Sequence, residues 1–174
     1  MAAELRLEPL GLEHLEGVRG LVDDAETLRF TRVPQPPPEG FAEQWIARYV
    51  EGRKDGSAEG FAIVDGDGTF LGLALAPTIL RDPEWTAELG YCVVEAARGR
   101  GVATEALRQL TEWALAEGML RVELVISPEN EGSKRVAQRA GYVYEGLLRS
   151  KYFKDGRRED QEIWSRLPTD PHPA

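Results

Sequence analysis

The chain predicts a mixed α/β fold organised around one parallel strand-helix-strand crossover flanked by antiparallel hairpins. Residues 89–94 are apolar and β-prone, residues 102–113 carry Val102, Ala106, Leu110 and Trp113 at helical spacing, and residues 121–127 return to a buried-strand pattern. Such a unit puts its two strands side by side and parallel, with the helix on one face. Two further β-prone pairs, 61–64 with 69–76 and 142–153 with 159–167, are separated by Asp65-Gly66-Asp67-Gly68 and by Asp155-Gly156, which are hairpin signals. The expectation is a twisted mixed sheet of about six or seven strands.

Taken in order, residues 5–10 alternate like a strand and residues 12–22 carry an amphipathic helical pattern. Residues 31–40, TRVPQPPPEG, sustain neither, because four prolines fix φ and remove donors. The segment reads as a surface connector or as a wall beside a binding site. Residues 41–54 form a second amphipathic helix that places Phe41, Trp45 and Tyr49 on one face, read as a core stripe in preference to a substrate-binding aromatic row. Ala103 and Leu107 widen the stripe of the crossover helix, which Gly118 ends. Residues 133–139 form a short helix closed by Gly141. With no linker or repeat, residues 1–167 are expected to be one domain and residues 168–174 a flexible, proline-rich tail.

Composition narrows the function classes. With 174 residues, 42% of them apolar, the chain can bury one sizeable core. No apolar run approaches the roughly 20 residues of a membrane span, and the N-terminus lacks a signal-peptide pattern, so a cytoplasmic protein without a membrane partner is expected. The net charge of −9 argues against nucleic acid and suits a basic amine or plain solubility. A lone cysteine, Cys92, with His14 and His172 far apart, implies neither a disulfide nor a metal site.

Between the first crossover strand and its helix lies Arg98-Gly99-Arg100-Gly101. Two glycines let backbone approach a ligand, two guanidiniums add charge, and a helix start offers free amides; together these describe an anion loop. The Gly-Lys-Ser/Thr ending of a phosphate-binding P-loop is absent. A dinucleotide fingerprint needs a third glycine where Thr104 stands, although Glu123 lies near the position of its acidic ribose ligand, about 20 residues on, and keeps a nucleotide-binding domain as a rival.

Arg98, Gly101 and Ala103 match in register the Gln/Arg-x-x-Gly-x-Gly/Ala loop of the Gcn5-related N-acetyltransferases (GNAT superfamily), which this stretch resembles. Ala87-Glu88-Leu89-Gly90-Tyr91, Thr104-Glu105-Ala106, Asn130-x-x-Ser133 and Ala140-Gly141-Tyr142 extend the resemblance to the RimJ/RimL branch, which acetylates ribosomal-protein N-termini. The resemblance implies a GNAT fold with helices on both faces and a parallel strand pair that splays to admit the pantetheine arm of acetyl-CoA. It implies an enzyme that moves acetyl from acetyl-CoA, its one cosubstrate, to a primary amine, most simply a protein or peptide N-terminal α-amine. A small amine acceptor such as a polyamine or amino-acid derivative, or a non-catalytic acyl-CoA sensor, are the alternatives. It also favours residues 31–40 as an acceptor-site wall, and is compatible with a monomer or a homodimer.

Site residues follow from that chemistry. The backbone of Gly99, Arg100, Gly101, Val102, Ala103 and Thr104, with the charges of Arg98 and Arg100, is expected to hold the pyrophosphate. Exposed backbone at Cys92, Val93 and Val94 is expected to pair with the pantetheine amides. Glu88 is the candidate base for the ammonium proton, against a purely structural carboxylate. The tyrosine that many members place before the Gly-Tyr pair is replaced by Ala137, so Ser133 is the candidate donor to the departing thiolate; helix capping by Ser133 is the competing role. Asn130 is expected to bond the cofactor arm or fix its loop, and an acetyl-Cys92 intermediate is disfavoured for want of a nearby histidine.

Overall fold

The computed structural model describes residues 5–173. Strand β1 (Leu5–Pro9) leads through a single 3-10 turn (Leu12–His14) into α1 (Leu15–Val22), whose buried Val18, Leu21 and Val22 recur at helical spacing. A six-residue helix, α2 (Ala25–Phe30), follows; it is too short to show a sequence period and is absent from the sequence-based expectation. Asp24 starts it, its Oδ2 accepting the Thr27 N–H at 2.8 Å. Next come α3 (Phe41–Asp55), β2 (Glu59–Asp65), β3 (Phe70–Leu80), β4 (Thr86–Val93) and α4 (Val102–Ala116). The chain continues with β5 (Arg121–Ile126), α5 (Glu131–Arg139), β6 (Val143–Lys154) and β7 (Arg157–Arg166).

The strands form one seven-stranded sheet in the order β1-β2-β3-β4-β5-β7-β6. Only β4 and β5 run parallel, as expected for the strands on either side of the crossover helix α4. Both hairpins form: β2 with β3 and β6 with β7. Glu88 lies three residues inside β4, because the strand begins at Thr86, earlier than the apolar run that marks it in the sequence.

Alternation divides the apolar side chains between two cores. Ile63, Ala74, Ala76, Ala87, Leu89, Val122, Leu124 and Ile126 face α4 and α5, where Ala106, Leu107, Leu110 and Ala114 pack on them. Ala62, Val64, Leu73, Leu75 and Cys92 face the opposite way, onto α1 and α3. The first core draws on strands on both sides of the β4-β5 pair, from β1 across to β7, the second on β2, β3 and β4 but none beyond. Fully burying a leucine such as Leu107 contributes roughly 1.5–3 kcal/mol. Of the expected aromatic stripe on α3, Tyr49 is buried in the second core, whereas Phe41 and Trp45 pack only partly against it.

A bidentate pair reaches across β7 to fix the β5 and β6 ends: Arg121 donates to both carboxylate oxygens of Glu145, at 2.8 and 2.6 Å, and Ser165 Oγ donates to the same group at 2.5 Å. Beyond β7 the Leu167 N–H donates to Asp170 at 2.8 Å. Residues 1–4 of the expected domain and 174 of the expected tail lie outside the described residues.

Candidate active site

The parallel strands stay together only briefly. Thr86, Ala87, Glu88 and Leu89 pair with Arg121, Val122, Glu123 and Leu124. Beyond that point Gly90, Tyr91, Cys92 and Val93 remain on β3, while Val125 and Ile126 remain on β7. Each strand therefore keeps its outer partner and loses its inner one, so two rows of backbone donors and acceptors face a gap. The expected splay is present.

The loop after β4 turns sharply at two left-handed residues, Gly99 (φ 71°) and Gly101 (φ 82°). A methyl group built on either would meet nothing within 4 Å, so conformation and open access, not crowding, ask for glycine here. The first bond into α4 is Glu105 N–H to Gly101 C=O at 3.0 Å, which leaves the amides of Val102, Ala103 and Thr104 pointing out of the helix start.

The two loop arginines are placed differently. Arg98 donates through Nη2 to Asp24 at 2.5 Å and through Nε to the Val93 carbonyl at 3.1 Å, with Glu26 3.5 Å from its Nη1. Burial pushes the Asp24 carboxyl up, but bonds from Arg98 and Thr27 outweigh it and hold it below its ordinary value. Arg98 thus ties α2 to the anion loop, and its charge is matched by carboxylates. Arg100 is exposed, with only a 3.5 Å bond to the Ala96 carbonyl. The donors this loop leaves uncommitted are therefore chiefly its backbone amides.

On the α4 side of the gap, the Asn130 carboxamide accepts the Ser133 N–H at 3.0 Å and caps α5, which begins two residues earlier than its sequence signal. The capping role therefore belongs to Asn130, and the Ser133 hydroxyl is free for another partner. That partner is Tyr91, whose hydroxyl lies 2.7 Å from Ser133 Oγ. Burial pushes the Tyr91 phenol well above its ordinary range, against the Ser133 bond, so it stays an O–H. Ala137, where a tyrosine is common in the resembling superfamily, is fully buried. The open backbone of β4 begins at Gly90, where pairing with β5 ends, and stops before Val94, whose amide is already donated to the Leu71 carbonyl. Burial pushes the Cys92 thiol up to about 12, which leaves no thiolate for a covalent route.

Glu88 lies on the opposite face. Its Oε1 accepts from Arg32 Nη2 at 3.0 Å and from the Tyr152 hydroxyl at 3.4 Å, and Arg32 also donates to that hydroxyl at 2.6 Å. The guanidinium rests 4.1 Å from the Tyr152 ring centroid. Burial, and then the charge of Glu88, raise the Tyr152 phenol to about 12. The proline-rich segment that carries Arg32 is pinned to the β6-β7 turn: Lys154 Nζ donates to the carbonyls of Leu28 and Thr31, and the Gln35 N–H donates to Asp155. It is a wall, not a free connector. One cavity of about 700 Å³ joins both ends, lined at one by Gly99, Val102, Asn130 and Ser133 and at the other by Arg32, Trp45, Glu88 and Tyr152.

Of the sequence-based site residues, Cys92, Val93, Arg98, Gly99, Gly101, Val102, Ala103, Thr104, Asn130, Ser133 and Glu88 all border this cavity, whereas Val94 and Arg100 do not. Arg32, Tyr91 and Tyr152 join them; Tyr91 ends the 87–91 motif and Arg32 lies in the 31–40 segment, but no role was legible for any of the three because their partners lie 42 to 120 residues away. Among the described residues no cluster of three or more candidate ligands could hold a metal, and no helix is long and apolar enough to cross a membrane.

The family model described as "Acetyltransferase (GNAT) domain" matches residues 4–143. The chain belongs to the GNAT family. Its relatives include the Bacillus subtilis (strain 168) protein named "Probable N-acetyltransferase YjcK", 34% identical over 60% of this chain and 58% of that protein. The Escherichia coli (strain K12) ribosomal-protein-serine acetyltransferase is 31% identical over 47% of this chain and 46% of its own length. The chain thus spans about half the length of these curated relatives. Spermidine N(1)-acetyltransferase of Escherichia coli (strain K12) is 24% identical over 90% of this chain and 82% of its own. Among solved structures, Mycobacterium smegmatis RimJ in complex with a CoA-disulfide superposes with a TM-score of 0.83 at 23% identity, covering 96% of this chain and 83% of that one. This GNAT chain therefore has the fold that its strand order and splay describe.

Proposed function

We propose that this protein transfers an acetyl group from acetyl-CoA to a primary amine, and that the amine is the α-amine of a protein or peptide N-terminus. The observation that carries the reading is the gap between β4 and β5, which ends at the free amides of α4 and has Glu88 on one face and the Tyr91-Ser133 pair on the other. A pantetheine chain needs amide partners of strand-like spacing and its pyrophosphate needs clustered N–H donors; the open edges and the α4 start supply both. Acetyl-CoA supplies the acyl group as an activated thioester, and the remaining tasks fall to side chains. Glu88 accepts the proton that an ammonium must lose, directly or through water. Ser133, with its hydroxyl oriented by Tyr91, donates a hydrogen bond to the departing sulfur. The wall of residues 31–34 with Phe41 and Trp45 bounds the acceptor end.

The ribosomal-protein-serine relative supports a protein acceptor, and the motif resemblance to the RimJ/RimL branch supports its N-terminus. A polyamine acceptor is the second reading, favoured by the long alignment with a spermidine acetyltransferase. Thiol release from acetyl-CoA, measured across peptides of differing first residue and spermidine, tests both; turnover with peptides is expected, and turnover with spermidine alone overturns the N-terminal assignment. A melting comparison separates the remaining classes. Acetyl-CoA at about a hundred times its Kd adds about 2.7 kcal/mol, or about 5–10 °C in Tm. Such a shift without transfer to any amine means an acyl-CoA sensor, and a shift with NAD or ATP instead means a nucleotide-binding domain.

A further inference from the structure

The acceptor end of the cavity holds an ion pair that a simple amine cannot use well. Glu88, the carboxylate nearest the expected amine position, is already paired with Arg32 at 3.0 Å. Among the described residues only Nη2 of Arg32 is engaged, Nη1 and Nε meeting no hydrogen-bond partner there, and the side chain is 49% exposed. Stacking on the Tyr152 ring and the bond to its hydroxyl hold the guanidinium at that place, so it does not swing away when a ligand arrives. Arg48, on α3, borders the same cavity and gives one bond, to the Pro77 carbonyl at 3.2 Å.

An incoming ammonium therefore meets a carboxylate already paired with an arginine. If it brings only positive charge, it competes with Arg32 for that carboxylate. If it brings a carboxylate close to its amine, the charges alternate: the ammonium on Glu88, the ligand carboxylate on the free donors of Arg32, each in a charge-assisted bond. Because both parallel N–H pairs of a guanidinium include Nη2, which is already committed, the ligand carboxylate takes a single charge-assisted N–H from Nη1 or Nε.

We infer that the acceptor is a peptide N-terminus with an aspartate or glutamate as its first or second residue, read by Arg32 as the specificity-determining group. This rests on the proposed acetyl transfer and goes beyond it by naming the acceptor's charge. It also separates the two acceptor readings, since spermidine has no carboxylate to offer.

The test uses the full chain, acetyl-CoA, thiol release, and hexapeptides identical except for Asp, Glu, Ser or Lys at the first position, with spermidine as a further arm. Wild type is expected to show a kcat/KM about ten- to a hundredfold higher for the acidic peptides than for the lysine peptide, the range of one charged hydrogen bond. R32Q is expected to collapse that ratio toward unity, and R32K to recover part of it, with thermal melts confirming that both fold. Equal use of acidic and neutral peptides by wild type, a preference for lysine or spermidine, or an unchanged ratio in R32Q each overturns the inference while leaving acetyl transfer standing. Absence of thiol release with every amine overturns the transfer reading itself, and the inference with it.

Discussion

Replacing Tyr91 with phenylalanine removes one hydroxyl and leaves the ring in place, packed partly against the core beneath α4. What is lost is the 2.7 Å contact with Ser133 Oγ. A neutral hydrogen bond contributes about 0.5–1.5 kcal/mol, and this one borders a cavity where water can substitute, so the low end applies. For a chain of this size that corresponds to a fall in Tm of about 1–2 °C. The kinetic effect has a different origin. Without Tyr91 the Ser133 hydroxyl can rotate, and a misaimed donor forfeits part of the 10²–10³ that a fixed donor contributes at a developing charge; because a departing thiolate is only mildly basic, about a tenfold fall in kcat is expected. Steady-state thiol release at saturating peptide should show that fall with KM for acetyl-CoA unchanged. S133A should fall further, and the double variant should be no slower than S133A, because Tyr91 acts through Ser133. A kcat for Y91F within about twofold of wild type, or single effects that multiply in the double variant, refutes the orienting role.

Three other outcomes are expected. Glu88→Gln should lower kcat by about 10²-fold or more, the scale of a positioned base, with acetyl-CoA affinity measured by titration intact; unchanged turnover removes Glu88 from the mechanism. Gly101→Ala forces a left-handed φ of 82° on a residue with a side chain, so about 1–2 kcal/mol of stability should be lost in denaturant unfolding, together with acetyl-CoA affinity. Glu145 is held at about 2 by its bonds from Arg121 and then Ser165, below its ordinary value of 4.5. A carboxyl depressed in the folded state contributes stability that is fully present above pH 4.5 and is lost as pH falls from 4.5 through about 2. Glu145→Gln should therefore lower stability at neutral pH and flatten the stability curve across that acid window in pH-dependent melts.

The sheet was legible because its signals are local. Period-two apolar runs, the Asp-Gly turn at 155–156 and the helical stripe from Val102 onward each lie within one element, and strand, helix, strand leaves only a parallel pairing. Helix α2 was not legible: six residues give less than two turns, and the signal that exists, Asp24 capping Thr27, is a single side-chain bond. At the site, the residues read from motif spacing lie along the cavity except Val94 and Arg100, but their partners were not legible. Arg32 meets Tyr152 across 120 residues, and Tyr91 meets Ser133 across 42; a loop laid on β6 and a helix start touching β4 make these contacts, and tertiary packing alone sets both. The β6 strand shifts register between Leu148 and Tyr152, so no count along the sequence places the Tyr152 hydroxyl beside Glu88. Ser133 shows the same limit at short range: capping and catalysis fit its position equally until Asn130 is seen to hold the cap.

The brief pairing of β4 with β5 makes the sheet two leaves joined along a short seam, β1 to β4 on one side and β5 to β7 on the other. The core beneath α4 binds both leaves, whereas the core beneath α1 and α3 stops at β4, so the leaves are glued on one face only. Glu88 sits in the seam itself. A ligand that bridges the unpaired edges would act as an eighth strand and stiffen the hinge beside the residue that receives the proton. Donor occupancy would then be readable in the exchange rates of the Gly90 to Val93 amides, without any turnover.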